Sequence, residues 1–100
     1  MKAIVISPAT QSIETIDVAT LADIKAVVGY DTLESDAIGT RDRFYFDEEC
    51  FLRGTSGPFQ IDSVIPVAGK GGIVGTADSG TTLRDVVTDV DDLRRRIRYL

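Results

Sequence analysis

The groups that this chain offers for chemistry are carboxylates, hydroxyls, arginines and backbone amides, because it has no histidine and a single cysteine, Cys50. Histidine is the only side chain that titrates near neutral pH without perturbation. Within one chain, this composition excludes serine–histidine–acid and cysteine–histidine arrangements, and zinc sites built from histidine or from four thiolates. It favours binding over catalysis, and we expect a protein that is not an enzyme and uses no metal or cofactor.

An acidic stretch between residues 31 and 49 is the first candidate binding surface. Its seven carboxylates face only two basic residues, Arg41 and Arg43. On twisted strands such carboxylates would line one surface, imitate a row of phosphates and attract a basic groove on a partner protein. The alternative is a solvated sheet edge that resists aggregation. The predicted partner-binding residues are Glu34, Asp36, Asp42, Asp47, Glu48 and Glu49.

A glycine-rich segment at residues 69–72 is the second candidate, as a loop whose backbone amides bind the phosphates of a nucleotide signal. It lacks the earlier glycine of a P-loop, since Val64 stands at that position, and no helix follows it to supply an N-terminus. A simple turn between strands is the alternative. The predicted ligand-binding residues are Gly69, Lys70, Gly71, Gly72 and Arg53.

The basic residues are concentrated at one end of a chain whose net charge is −5. Four of the eleven lie within the last seven positions: Arg94, Arg95, Arg96 and Arg98. Arginines there complement the dipole of a final helix. The alternative is an oligomeric module that uses this helix to meet nucleic acid, although the acidic remainder of the chain would repel phosphates.

Two further patterns have structural explanations that compete with functional ones. Cys50 follows two glutamates rather than basic residues, so we expect a buried small apolar side chain rather than a nucleophile. The aromatic run Phe44–Phe46 is suited either to core packing or to a single-strand nucleic-acid platform. The neighbouring carboxylates favour core packing.

The strands that must position these residues follow from apolar and β-branched patterning. Turn residues such as Ser7-Pro8 and Gly39-Thr40 separate them. The patterning predicts strands at residues 3–6, 12–18, 33–38, 43–46, 50–52, 61–67 and 73–74.

Two helices are predicted, one after the second strand and one at the end of the sequence. Thr20 and Asp23 form a capping box before the first, and Gly29 is placed to end it. Thr88 is the predicted N-cap of the second, which should run amphipathically to Leu100. We therefore predict one α+β domain over residues 1–100, a small and mostly antiparallel sheet with both helices on one face.

Three segments together resemble a known family: residues 28–30 (Val-Gly-Tyr), residues 44–54 with the core Phe-Tyr-Phe-Asp-Glu-Glu, and residues 72–75 (Gly-Ile-Val-Gly). They are similar to a small domain of unknown function found in phages, prophages and plasmids. The resemblance covers about three quarters of the chain. It implies an accessory protein of a virus or mobile element, and it brings no catalytic residues.

The function expected from these features is inhibition of a host protein, such as a CRISPR defence complex, by binding a basic surface on it. Nucleotide sequestration and the nucleic-acid module are the alternatives, and a homo-oligomer is compatible with all three. A lone cysteine fits a reducing compartment, the start is too short for a signal peptide, and no apolar run reaches the length of a membrane span. We expect the cytoplasm of the host cell and no membrane association.

Overall fold

The computed structural model describes residues 1–39, 41–52, 58–62, 66–77 and 82–100. Its two helices are α1 (Leu21–Val28) and α2 (Val90–Arg96), and all strand pairings among the described residues are antiparallel. The α+β class is therefore confirmed, with α1 after the second strand. In chain order the strands are β1 (Lys2–Ser7), β2 (Ser12–Asp17), β3 (Leu33–Ile38), β4 (Asp42–Asp47), β5 (Pro58–Ile61), β6 (Val67–Ala68), β7 (Gly71–Ala77), β8 (Thr82–Arg84) and β9 (Ile97–Tyr99).

Strand β7 lies at the centre of the larger sheet. Within the described ranges the strand order is β2-β1-β7-β4-β3, and β8 pairs with the second half of β7. The hairpins β1–β2 and β3–β4 thus flank β7 on opposite sides. A smaller sheet has the order β6-β5-β9. The topology places β3 and β2 at the two ends of the larger sheet.

The two helices lie on opposite faces of the larger sheet. Successive strand residues point to opposite faces, and in β1 Ala3 packs with Ile24 of α1, whereas Ile4 belongs to the cluster that contains Leu93 of α2. The prediction that both helices share one face is wrong. The helices lie on opposite faces because the central strands carry apolar side chains on both faces, and each face must be covered.

Helix α1 forms as predicted from its end signals. The Asp23 carboxylate accepts hydrogen bonds from the backbone N–H groups of Ala19 at 2.8 Å and Thr20 at 3.2 Å. Gly29 has φ 90°, a left-handed conformation that favours glycine, and its N–H donates to the Lys25 carbonyl at 2.8 Å. Ile24 and Val28 are the buried residues of this helix.

Helix α2 is shorter than predicted and begins one residue later. Asp89, not Thr88, is the N-cap, and its side chain accepts from the Asp92 N–H at 3.3 Å. The helix ends at Arg96 because residues 97–99 pair with β5 as strand β9. The Leu100 N–H continues that pairing with a bond to the Pro58 carbonyl at 2.9 Å.

Two predicted strands are also wrong. Residues 50–52 are turns, in which the Cys50 N–H donates to the Asp47 carbonyl and the Leu52 N–H to the Glu49 carbonyl. The strand predicted over 61–67 is divided between the end of β5 and the start of β6, and residues 63–65 lie outside the described residues. Among the described residues, no helix is long and apolar enough to cross a membrane.

Candidate partner-binding site

Four exposed carboxylates lie at the β3 end of the larger sheet, and we call this set the acidic edge: Glu34, Asp36, Glu48 and Glu49. Glu34 and Asp36 are two residues apart on β3, opposite Phe46 and Phe44, so they project from one face. The Glu48 N–H donates to the Thr32 carbonyl at 2.7 Å, which ties the turn after β4 to the start of β3. Sequence reasoning identified all four.

Asp42 does not belong to this surface, although the sequence placed it there. It is 4% exposed, and its carboxylate accepts hydrogen bonds from the backbone N–H groups of Val87 at 2.9 Å and Thr88 at 2.7 Å. The Thr88 hydroxyl donates to it as well. Both oxygens of the carboxylate thus accept hydrogen bonds from the segment before α2, and Asp42 has a structural role.

Asp47 is a second correction to the predicted surface. It is 2% exposed, and its Oδ1 atom accepts hydrogen bonds from the Thr32 hydroxyl and from the Glu49 N–H, the latter at 3.1 Å. An aspartate that accepts from the N–H two residues ahead stabilises a turn, and Asp47-Glu48-Glu49 carries that signal in the sequence. Asp47 therefore shapes the turn that presents Glu48 and Glu49.

Two basic residues on neighbouring elements have partners outside the acidic edge. The Arg43 Nε donates to the Ser35 hydroxyl at 3.1 Å, and Lys25 pairs with Asp31 at 3.2 Å. Within the described part of the chain, no lysine or arginine forms an ion pair with Glu34, Asp36 or Glu48. The acidic edge therefore keeps most of its negative charge available to a partner.

The backbone of β3 has one satisfied edge and one outward edge. The Thr32 carbonyl bonds to the residue directly after β4, and backbone direction alternates along an antiparallel strand. The backbone N–H and C=O groups therefore point towards β4 at Glu34, Asp36 and Ile38, and away from it at Leu33, Ser35 and Ala37. Consistently, the Ser35 N–H donates to the Glu34 Oε1 at 3.0 Å rather than to β4. No described strand pairs with this outer edge.

A groove runs beside this edge on the α1 face of the sheet. Its volume is about 690 Å³, and its lining includes Leu21 and Lys25 of α1, Leu33 and Ser35 of β3, and Tyr45 of β4. Burial raises the pKa of Tyr45, an effect that the nearby Arg43 charge opposes. The lining of the groove thus combines apolar side chains, such as Leu21 and Leu33, with polar ones, such as Lys25 and Ser35.

The glycine segment does not form the predicted loop. Gly71 and Gly72 are buried strand residues of β7, paired with Ile6 and Val5 of β1. A Cβ atom on Gly71 would lie 2.3 Å from Cε1 of Phe44, so the glycine is required by close packing. Gly69 has φ 79° and Lys70 is exposed, whereas Arg53 lies outside the described residues.

The arginines near the end of the sequence are largely paired with carboxylates. Arg94 pairs with Asp91 at 3.2 Å and Arg95 with Asp92 at 3.5 Å, both along one helix. Arg96 contacts Asp62 through Nε at 2.7 Å and through Nη2, and these bonds raise its pKa. Arg98 lies on β9, opposite Gln60. The cluster is divided between a helix and a strand.

The expected burial of Cys50 and the expected core packing of Phe44 and Phe46 are confirmed. Cys50 is buried, and its Sγ accepts a hydrogen bond from the Ala68 N–H at 3.3 Å. The rings of Phe44 and Phe46 lie in the core with centroids 5.3 Å apart, and the Phe59 ring packs on Phe44 at 5.7 Å. Among the described residues, no group of three metal-ligating side chains converges on one point.

Sequence reasoning missed an apolar pair beside the acidic edge. Phe51 is 56% exposed and Leu52 is 85% exposed, directly after Glu48, Glu49 and Cys50. We predicted a strand over these residues and therefore did not expect both side chains to be exposed, although their position next to a charged turn indicated exposure. Large apolar side chains this exposed are suited to contact with another protein.

Comparisons of the chain with protein-family models, with curated proteins and with solved structures found no match. The resemblance to the phage and plasmid domain therefore stays a prediction based on its sequence segments.

Proposed function

We propose that this protein is a non-catalytic binding module of a phage or mobile element that inhibits a host protein through its acidic edge. The observation that carries the proposal is the collection of Glu34, Asp36, Glu48 and Glu49 on one corner of the sheet, all exposed. A concentrated negative surface accelerates association with a basic patch and selects against acidic partners.

The exposed apolar pair adds a source of affinity to this charged surface. Electrostatic complementarity contributes mainly to association rate and specificity, whereas buried aromatic and aliphatic anchors carry most binding energy. Phe51 and Leu52 follow the acidic turn directly, so a partner that meets Glu48 and Glu49 also reaches them. An apolar centre with a charged rim is the usual organisation of a protein interface.

The other two functions have less support from the arrangement of residues. Nucleotide binding was expected from backbone amides at residues 69–72, but Gly71 and Gly72 belong to the sheet. Nucleic-acid binding was expected from the arginines, but Arg94, Arg95 and Arg96 are paired with carboxylates. Protein binding in the host cytoplasm is therefore the function that we propose.

The test is co-purification of the tagged protein from a bacterial host, with mass spectrometry at low and high salt. A double variant, Glu34→Gln with Asp36→Asn, removes half of the acidic edge. The matched control is Glu14→Gln with Asp17→Asn, two exposed carboxylates on β2 at the other end of the sheet.

We expect a stoichiometric host protein that binds the unmodified chain and the β2 control but not the β3 variant. The complex should weaken as salt rises, because exposed charges are screened. Equal retention by both variants, or a partner insensitive to salt, would contradict the proposal.

A further inference from the structure

We infer that the partner contributes an extended segment that adds as a strand to the outer edge of β3, with a lysine or arginine at every second position. The inference rests on the proposed function and specifies its mode of binding. Strand addition uses main-chain hydrogen bonds for affinity and alternate side chains for specificity. Each of these components has a counterpart on β3.

The backbone counterpart is the row of outward N–H and C=O groups at Leu33, Ser35 and Ala37. They alternate with the residues that bond to β4, and so have the spacing that a new strand requires. The Ser35 N–H is held by the Glu34 carboxylate at 3.0 Å. A carbonyl of the added strand would accept the hydrogen bond from this N–H, and the Glu34 carboxylate would then be available to pair with a cation.

The charge counterpart is the pair Glu34 and Asp36. Residues on one face of a strand are spaced by about 7 Å, and directly opposed residues of two strands lie about 5 Å apart. A segment paired with β3 would therefore place two of its side chains, at positions i and i+2, against these two carboxylates. Lysine or arginine at those positions satisfies both.

The intervening side chains of the segment would point to the opposite face. That face opens on the groove of about 690 Å³ that Leu21, Leu33 and Tyr45 help to line. Valine, threonine or leucine fits such a partly apolar lining. The site thus selects an alternation of basic and aliphatic residues, which is the pattern of an amphipathic strand.

A second copy of this chain does not fit the edge. Symmetric antiparallel pairing of two β3 strands about Ser35 would place Glu34 of each copy directly opposite Asp36 of the other. Like charges in directly opposed positions are destabilising, and charged residues on edge strands prevent such self-pairing. The same two carboxylates therefore reject a second copy and attract a basic strand.

The test uses a capped peptide, acetyl-Lys-Val-Lys-Thr-Lys-Val-Lys-amide, and a control of the same composition with its four lysines contiguous. Ala37→Pro removes one outward N–H group and no hydrogen bond between β3 and β4. Edge strands tolerate proline at a position of this kind. Thr15→Pro is the matching substitution on β2. Met1 and Val18 exchange both of their backbone hydrogen bonds, so the alternation along β2 directs the backbone N–H of Thr15 away from β1. Fluorescence anisotropy at low salt gives the affinities, and thermal unfolding checks that each variant folds.

We expect the alternating peptide to bind at least tenfold more tightly than the contiguous control. Ala37→Pro, and the double variant Glu34→Gln with Asp36→Asn, should each weaken it at least tenfold, whereas Thr15→Pro should not. If Ala37→Pro fails to fold, N-methylation of the peptide replaces it. Methyl groups on the alternate nitrogens that face β3 should abolish binding, and methyl groups on the others should not.

Equal binding of the two peptides would overturn strand addition while leaving the proposed function intact, because charge alone would then explain the interaction. Binding of neither peptide would also overturn the inference. The proposed function fails by a separate result, namely a host partner that the acidic edge variants still retain. The two failures are therefore distinguishable.

Discussion

The Asp42 carboxylate at the start of β4 accepts a hydrogen bond from the Thr88 backbone N–H at 2.7 Å, although 46 positions separate the two residues. The Thr88 hydroxyl donates to the same oxygen, and the Val87 N–H donates to the other. One buried carboxylate thus fixes the path of the chain into α2.

Asp42→Ala should lower the free energy of unfolding by about 3 kcal/mol, because it leaves buried donors without an acceptor. Asp42→Asn keeps one acceptor and should cost about half of that. Urea unfolding measures both, with the exposed Asp36→Asn as control at about 0.5 kcal/mol or less. Equal stability of Asp42→Ala and the control would contradict the structural role.

Gly71→Ala should destabilise the protein by about 2 kcal/mol, the usual cost of overpacking a core. Its Cβ would lie 2.3 Å from the buried Phe44 ring, whereas a Cβ on Gly72 would lie 3.6 Å from the nearest atom, Cγ2 of Ile24. Gly72→Ala is therefore the matched control and should stay close to the unmodified protein. Thermal unfolding decides, and the opposite ranking would show that the packing around β7 differs from this description.

The cap of α1 should weaken at acidic pH. Hydrogen bonds from the Ala19 and Thr20 N–H groups hold the pKa of Asp23 below its ordinary value of 3.8. A carboxyl with a lowered folded-state pKa contributes stability above its unfolded pKa, and that contribution is lost as pH falls through the folded pKa. The stability difference between the unmodified protein and Asp23→Asn should be constant near pH 6 and shrink below pH 3.8; a difference that grows there would contradict the assignment.

Arg96 and Asp62 should be coupled across the junction of α2 and β5. Two guanidinium nitrogens of Arg96 contact one oxygen, Oδ2 of Asp62, and the pair is only partly exposed, so a double-mutant cycle with Arg96→Gln and Asp62→Asn should give about 1 kcal/mol. The exposed Arg94–Asp91 pair provides a comparison, with an expected coupling of about 0.3 kcal/mol. Equal couplings would mean that the Asp62 contact holds no more than a surface pair.

Leu52→Ser should weaken partner binding without changing stability. The side chain is 85% exposed, so its removal should alter the free energy of unfolding by about 0.5 kcal/mol or less. A contact that becomes buried in a complex would instead reduce retention of the host protein several-fold. Val87→Ser, which is 63% exposed and lies outside both the acidic edge and the groove, is the control. Identical effects of the two substitutions on binding would argue against a role for Leu52.

Features with local causes could be predicted from the sequence. The helix between Thr20 and Gly29 has both of its end signals within ten residues, and the strand bounds 33–38 follow from composition and a turn. The four carboxylates of the acidic edge were found for the same reason, since charge density is a local property.

Features that depend on distant partners could not be predicted. Asp42 is buried because Val87 and Thr88 lie against it, and nothing near Asp42 in the sequence shows them. Ile97 to Tyr99 fit a helix by their spacing and become a strand only because β5 is beside them. Gly71 and Gly72 indicate a loop by residue type alone, whereas the close approach of Phe44 that requires glycine at position 71 is a tertiary contact.

The central place of β7 sets the order in which the protein can be made. The ribosome completes both flanking hairpins, residues 2–17 and 33–47, well before residues 71–77 exist. Because chains begin to fold from the part made first, the apolar faces of each hairpin stay uncovered until β7 inserts between the two hairpins. Pairings so distant in the chain also form slowly. The nascent chain is therefore most vulnerable to aggregation during the interval between β4 and β7.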